Sequence, residues 1–243
     1  MSILPTREDE VALGRIHRPE EGDSFPSLVL IHDVWGLSDH SRQLASALAA
    51  EGFGVLEIDL YRDGAGPPTE DPGAFIRSLS DPSVLSDLDL GADWLTSQSW
   101  GHKRKVGVVG VCMGGTFTLL AASTSDRFSA AAPFYGILSY DRGMLAAPEG
   151  RNRERKPHSP LEIADRLRMP LLASFGREDE FVPNDDVDRL EAALSGSGKP
   201  FTIDRYEHAG HAFLNRTREP AYRAEASQAA WGRLIPFLRS ELA

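Results

Sequence analysis

The chain has 243 residues, 41% hydrophobic and 26% charged, a globular balance that excludes a disordered, collagen-like or coiled-coil protein. Its 36 acidic against 26 basic residues give a formal charge of −10, which argues against nucleic-acid and membrane-surface binders, since both need a basic face. No apolar run approaches the roughly 20 residues of a membrane helix, and a single cysteine, Cys112, excludes an internal disulfide or a multi-cysteine metal site. The first ten residues carry no apolar signal core, so a cytoplasmic protein is expected.

Apolar, β-branched runs alternate with longer amphipathic stretches. Residues 27–31 read as a buried strand, 41–51 as a helix and 54–59 as a second strand. Residues 63–73 form a loop dense in Gly and Pro, followed by a helix over 84–97. Next come a strand at 105–110, a helix at 116–123 and a strand at 128–134. Residues 140–160 are polar and include the basic run 151–156, read as a solvated loop that could also shape a pocket mouth. A strand at 170–175, a helix at 185–195, a strand at 201–206 and a helix at 222–242 complete the chain. Trp94 and Trp231 fall on apolar helix faces and are expected in the core. Strands alternating with helices imply a single α/β domain over 1–243, with a mostly parallel sheet, helices on both faces, and ligands at the carboxyl ends of the strands.

The strongest local signal follows the third strand: Gly110-Val-Cys112-Met-Gly114-Gly115, then a helical stretch. This is the pattern of a nucleophile elbow with cysteine in place of serine. The turn from strand to helix is so sharp that side chains two positions either side of the nucleophile would collide, and Gly110 and Gly114 remove them. The sulfur then sits at a helix N-terminus, where unpaired amides favour thiolate. In isolation the same residues also suit a buried structural cysteine. A phosphate loop would want Gly-Lys-Ser/Thr, which is absent here.

Two later segments supply an acid and a base. The strand at 170–175 runs into Gly176-Arg-Glu178-Asp179-Glu180, and the strand at 201–206 into Glu207-His208-Ala-Gly210-His211-Ala-Phe213. Asp179 competes with Glu178 and Glu180, and His211 with His208. The spacing from Gly176 to Pro183 favours Asp179, and the small residue before the imidazole favours His211. Nucleophile, acid and histidine then follow the chain order of α/β-hydrolases, with Cys112, Asp179 and His211 as the candidate triad. His17, His32, His40, His102 and His158 show no metal-site spacing.

With these motifs the sequence resembles the dienelactone hydrolase family of the α/β-hydrolase fold. The resemblance runs from about Ser27 to the C-terminus through Ile31-His-Asp33-Val-Trp-Gly-Leu37, Asp59-Leu-Tyr61, the Cys112 elbow, Gly176-Arg-Glu-Asp179 and His208-Ala-Gly-His211-Ala-Phe213. It implies a cofactor-free, metal-free, monomeric enzyme. The implied reaction opens enol-lactones such as carboxymethylenebutenolide in chlorocatechol breakdown, or cleaves a broader range of esters or thioesters. Residue by residue, it implies Cys112 as nucleophile, Asp179 as acid, His211 as base, and the backbone N–H groups of Val34 and Met113 as the oxyanion hole. The last pairing is also what the fold's general architecture expects. Asp33 stands where the family has a glutamate that engages the resting thiol, and otherwise would pair with His32, His40 or Arg42 or cap the next segment. Trp35, Arg77, Tyr135, Phe213 and Asn215 are the candidate pocket residues. Asn215 stands four residues after His211, where lactone specialists have a carboxylate-binding arginine. Arg216, Arg62 and Arg77 are the other arginines at hand.

Overall fold

A computed structural model describes residues 4–64, 66 and 70–243. A hairpin of β1 (Thr6–Val11) and β2 (Gly14–Pro19) leads into β3 (Phe25–Ile31), α1 (Asp39–Ala50), β4 (Gly54–Ile58), α2 (Pro72–Ser78) and α3 (Asp81–Ser97). Then follow β5 (Gly101–Val111), α4 (Met113–Thr124), β6 (Ala130–Phe134), a short α5 (Pro160–Ile163), β7 (Leu171–Gly176), α6 (Asn184–Ser195), β8 (Phe201–Tyr206) and α7 (Ala224–Leu242). The strands form one sheet in the order β1-β2-β4-β3-β5-β6-β7-β8. From β3 to β8 all neighbours are parallel, while β2 runs antiparallel to both β1 and β4.

Every strand and helix expected from periodicity is present, with β5 starting earlier, at Gly101, and α4 starting directly after Cys112. The hairpin is additional. Its β1 is Thr-Arg-Glu-Asp-Glu-Val, half exposed and half partly buried, and β2 carries buried Arg15 and His17. These charged residues hide the strand signal, yet they have a partner: His17 Nε2 lies 3.0 Å from Oε2 of the fully buried Glu57 on β4. The pairing joins the hairpin to the sheet edge. Also additional is α2, which begins inside the expected 63–73 loop, with Pro72 in its first turn and Asp71 as its cap, whose carboxylate accepts from Ala74 N–H at 2.8 Å. Residues 65 and 67–69 of the expected 63–73 loop lie outside the described residues.

Strand alternation divides the core between the two faces of the sheet. Val29 and Ile31 of β3 join the cluster under α3, α4 and α6, with Leu88, Phe117 and Leu190. Leu28 and Leu30 join the opposite cluster under α1 and α7, with Leu48, Leu234 and Leu238. Trp94 and Trp231 are only partly buried, each packing against the edge of one cluster. Both faces being covered, the carboxyl ends of β3 to β8 are left as the place for a site. Among the described residues no helix is long and apolar enough to cross a membrane.

Candidate active site

Cys112 closes β5 and caps α4 with φ 55° and ψ −118°, a conformation that L-residues avoid. Neighbouring backbone holds it there: its N–H donates to the Phe134 carbonyl at 3.0 Å and its carbonyl accepts from Thr116 N–H at 3.1 Å. A Cβ on Gly110 would strike the Gly114 carbonyl, and one on Gly114 would strike the carbonyls of Ile31 and His32. Those clashes explain both glycines. Three other non-glycine residues have positive φ, namely Tyr135, His208 and Ala212, and all lie just after a strand or beside His211. Backbone strain in the described residues is thus concentrated at the strand ends around Cys112.

The loop after β7 brings Asp179 to His211. One carboxylate oxygen of the buried Asp179, Oδ1, accepts from the Phe181 and Val182 N–H groups at 2.9 and 3.1 Å, and Oδ2 meets His211 Nδ1 at 2.9 Å. Glu178 instead reaches the exposed His208, at 3.2 Å, and Glu180 is exposed. The two loops approach closely because Gly176 has no side chain to strike the Ala209 carbonyl. Edges of the Tyr135 and Phe181 rings flank the imidazole, each with centroids 5.1 Å away. Burial would lower the pKa of His211, but the charge of Cys112 and hydrogen bonds to Asp179 and Cys112 raise it to about 10. The structure therefore brings the sulfur, imidazole and carboxylate together at the strand ends.

The segment after β3 forms the opposite wall. Among the described residues, neither the Val34 nor the Met113 N–H has a hydrogen-bond partner. Asp33 is buried, its Oδ1 accepting from Trp35 N–H at 2.9 Å, so its observed contact is the turn-capping one and not a pairing with His32, His40 or Arg42. Burial raises the pKa of its carboxyl, opposed by the Trp35 N–H and by the charges of His211 and Arg218. Trp35 is exposed beside this turn, as is Phe181 beside His211.

The remaining pocket candidates are placed elsewhere than expected. Phe213 is fully buried between the rings of Tyr135 and Tyr206, because the apolar face of α7 covers it. Tyr135 is also buried and packs against His211. Asn215 spends its side-chain oxygen on Thr217, accepting from N–H at 3.0 Å and from Oγ1 at 2.7 Å. Arg77 donates to the Met144 carbonyl at 2.9 Å and lines a separate cavity of about 500 Å³ with Tyr140, Arg151, Arg155 and Lys156, none of them a triad member. The basic run is only partly solvated: Lys156 is buried against Asp81 at 2.6 Å, and Arg151 is paired with Glu162. Arg62 pairs with Asp87, and the Arg216 guanidinium lies over the Tyr222 ring. The exposed Arg218, which sequence reading did not single out, is the smallest of the influences that lower the Asp33 pKa.

A mostly parallel sheet with a strained cysteine elbow and a hydrogen-bonded Asp–His pair at its carboxyl edge defines an α/β-hydrolase. Residues 13–242 match the dienelactone hydrolase family, and the chain belongs to that family of hydrolases. A carboxymethylenebutenolidase of Rhodococcus opacus is 30% identical, with 93% of this chain and 86% of the relative covered. An Escherichia coli K12 protein provisionally named a carboxymethylenebutenolidase is 28% identical over 98% of this chain and 90% of its own. A Klebsiella pneumoniae crystal structure, provisionally named a dienelactone hydrolase, superposes with TM-score 0.85 at 27% identity, covering 97% of this chain and 98% of that one.

Proposed function

We propose that the chain is a single catalytic domain that hydrolyses small ester or enol-lactone substrates of the carboxymethylenebutenolide type through an acyl-thioester on Cys112. The observation that carries this reading is the line from Asp179 through His211 to Cys112 at the strand ends. Asp179 orients the imidazole, and the imidazolium with the α4 N-terminus favours the thiolate. The sulfur attacks the acyl carbonyl, and the Val34 and Met113 N–H groups take the oxyanion, a contribution of about 3–4 kcal/mol per donor in comparable sites. Collapse expels the enolate, which His211 protonates from its free ring nitrogen. Acylation also removes the sulfur's charge, the strongest of the influences that raise the His211 pKa. The now neutral imidazole is a competent base for the water that cleaves the thioester, and the thiolate–imidazolium pair re-forms.

Leaving-group chemistry narrows the substrate. Thiolate is itself easily expelled from a tetrahedral intermediate, so enol and phenol esters, whose leaving groups are good, suit it better than amides. A broader ester or thioester range is the second reading, favoured by Asn215 being engaged with Thr217 and Arg77 with Met144. Arg218, whose charge is felt at Asp33, is then a candidate partner for a substrate carboxylate. The test is a side-by-side assay of dienelactones, p-nitrophenyl esters and acyl thioesters with the parent and Cys112→Ala proteins. Turnover of at least one class by the parent and none by the variant is expected. Equal turnover by both would overturn the nucleophile.

A further inference from the structure

We propose that His32 and Tyr61 are positioning residues that lock the two peptide groups flanking Val34 and so fix the oxyanion-binding amide. The inference rests on the mechanism proposed above. It is built from hydrogen bonds to backbone atoms that the triad does not require.

His32 is fully buried, with Nδ1 2.5 Å from the Asp33 carbonyl oxygen and Nε2 accepting from Leu60 N–H at 3.2 Å. An acceptor at Nε2 leaves the proton of a neutral imidazole on Nδ1, so the ring donates to the Asp33 carbonyl. Burial lowers the His32 pKa and keeps the ring in that neutral form. The Asp33 carbonyl and the Val34 N–H belong to one planar trans peptide and point in opposite directions. Holding the carbonyl against His32 therefore turns the Val34 N–H away from the buried ring.

The next peptide is gripped at both ends. Tyr61 Oη donates to the Val34 carbonyl at 3.0 Å, and Asp33 Oδ1 accepts from Trp35 N–H at 2.9 Å. The same phenol lies 3.6 Å from Met113 Sδ, so one hydroxyl touches both residues whose amides form the proposed hole. Tyr61 packs on His32 with ring centroids 4.8 Å apart, and its own N–H is tied to Asp59 Oδ1 at 2.8 Å. The Asp59-Leu60-Tyr61 turn after β4 thus clamps the turn after β3. Reorganisation of an oxyanion hole during reaction is costly, and a misplacement of about 1 Å can lower a rate roughly a hundredfold.

Tyr61→Phe keeps the ring and removes only the donor. The expected result is a 10- to 100-fold lower kcat for p-nitrophenyl acetate with KM changed less than threefold, and an unchanged rate of Cys112 alkylation by iodoacetamide. Alkylation forms no oxyanion, so a merely structural role, or an effect on the sulfur, would slow both reactions together. His32→Asn retains an N–H near the place of Nδ1, whereas His32→Gln does not, so the Asn variant should keep at least fivefold more activity than the Gln variant. Tyr61→Phe hydrolysis within twofold of the parent, or alkylation falling in parallel with hydrolysis, overturns the proposal. Cys112→Ala assayed alongside separates the two levels: if it is inactive while Tyr61→Phe is normal, the clamp alone fails. If Cys112→Ala turns over normally, the nucleophile assignment fails and the clamp with it.

Discussion

Replacing Asp179 by Asn isolates what the carboxylate does for His211. Oδ1 already accepts from two backbone N–H groups, so an Asn oxygen takes that place and its NH₂ is turned toward His211 Nδ1. A donor then faces a donor, and the imidazole must turn to the other tautomer or give up its second proton. His211 retains 12% side-chain exposure and Asp179 none, so water replaces little of the lost bond. A charge-assisted hydrogen bond is worth about 1.5–3 kcal/mol, and breaking a buried charged pair costs about 3–5 kcal/mol, so about 3 kcal/mol is the expected loss. At 1.4 kcal/mol per tenfold, this lowers kcat roughly a hundredfold. It should also bring the His211 titration down from about 10 in the parent, because a partner that raises it has gone. Steady-state hydrolysis of p-nitrophenyl acetate and ¹⁵N NMR of the imidazole read the two effects. Glu178→Gln, which alters only an exposed pair with His208, is the control and should stay within twofold of the parent. An Asp179→Asn variant with kcat within threefold of the parent would refute the reasoning.

The other predictions concern Arg218, the elbow and acid stability. Arg218→Gln should raise KM several-fold for a carboxylated ester and leave a neutral ester unchanged, since only the first has a charge for the guanidinium near Asp33 to attract. Gly114→Ala drives a methyl group into the Ile31 and His32 carbonyls, and backbone cannot yield as a side chain would. About 3 kcal/mol of destabilisation is expected, a fall in Tm of roughly 6–12 °C by calorimetry. Burial lowers the pKa of His40 to about 4, so between pH 6.5 and 4 the unfolded chain binds the proton and the folded chain does not. Stability therefore falls as pH drops through that window, by about 2 kcal/mol at pH 5 for this group. Urea unfolding of the parent and His40→Leu at pH 7 and pH 5 should show the variant losing less.

The reach of the sequence differs between elements for physical reasons. Buried parallel strands such as 27–31 are continuous apolar runs, and each was legible as a run. The β1–β2 hairpin was not, because its inward positions are filled by Arg15 and His17, whose burial makes sense only beside Glu57 of β4. Likewise, the elbow and the Asp179 and His211 segments carry constraints within a few residues. The roles of Tyr61 and Arg218 arise through tertiary contact: the Tyr61 hydroxyl meets a carbonyl 27 residues away, and the Arg218 charge is felt at Asp33. Phe213 and Tyr135 were candidates for the pocket lining, and the structure buries Phe213 under α7 and packs Tyr135 against His211. Asn215 shows the same limit, since its turn with Thr217 satisfies the oxygen locally.

The central claim is a covalent acyl group on Cys112. Acid-quenching the enzyme within milliseconds of mixing with a p-nitrophenyl ester, followed by intact-mass and peptide mass spectrometry, tests it directly. The predicted result is a mass increase equal to one acyl group, confined to the Cys112 peptide, removed by hydroxylamine and absent from Cys112→Ala. Full turnover with no such adduct, or an adduct on another residue, would contradict it.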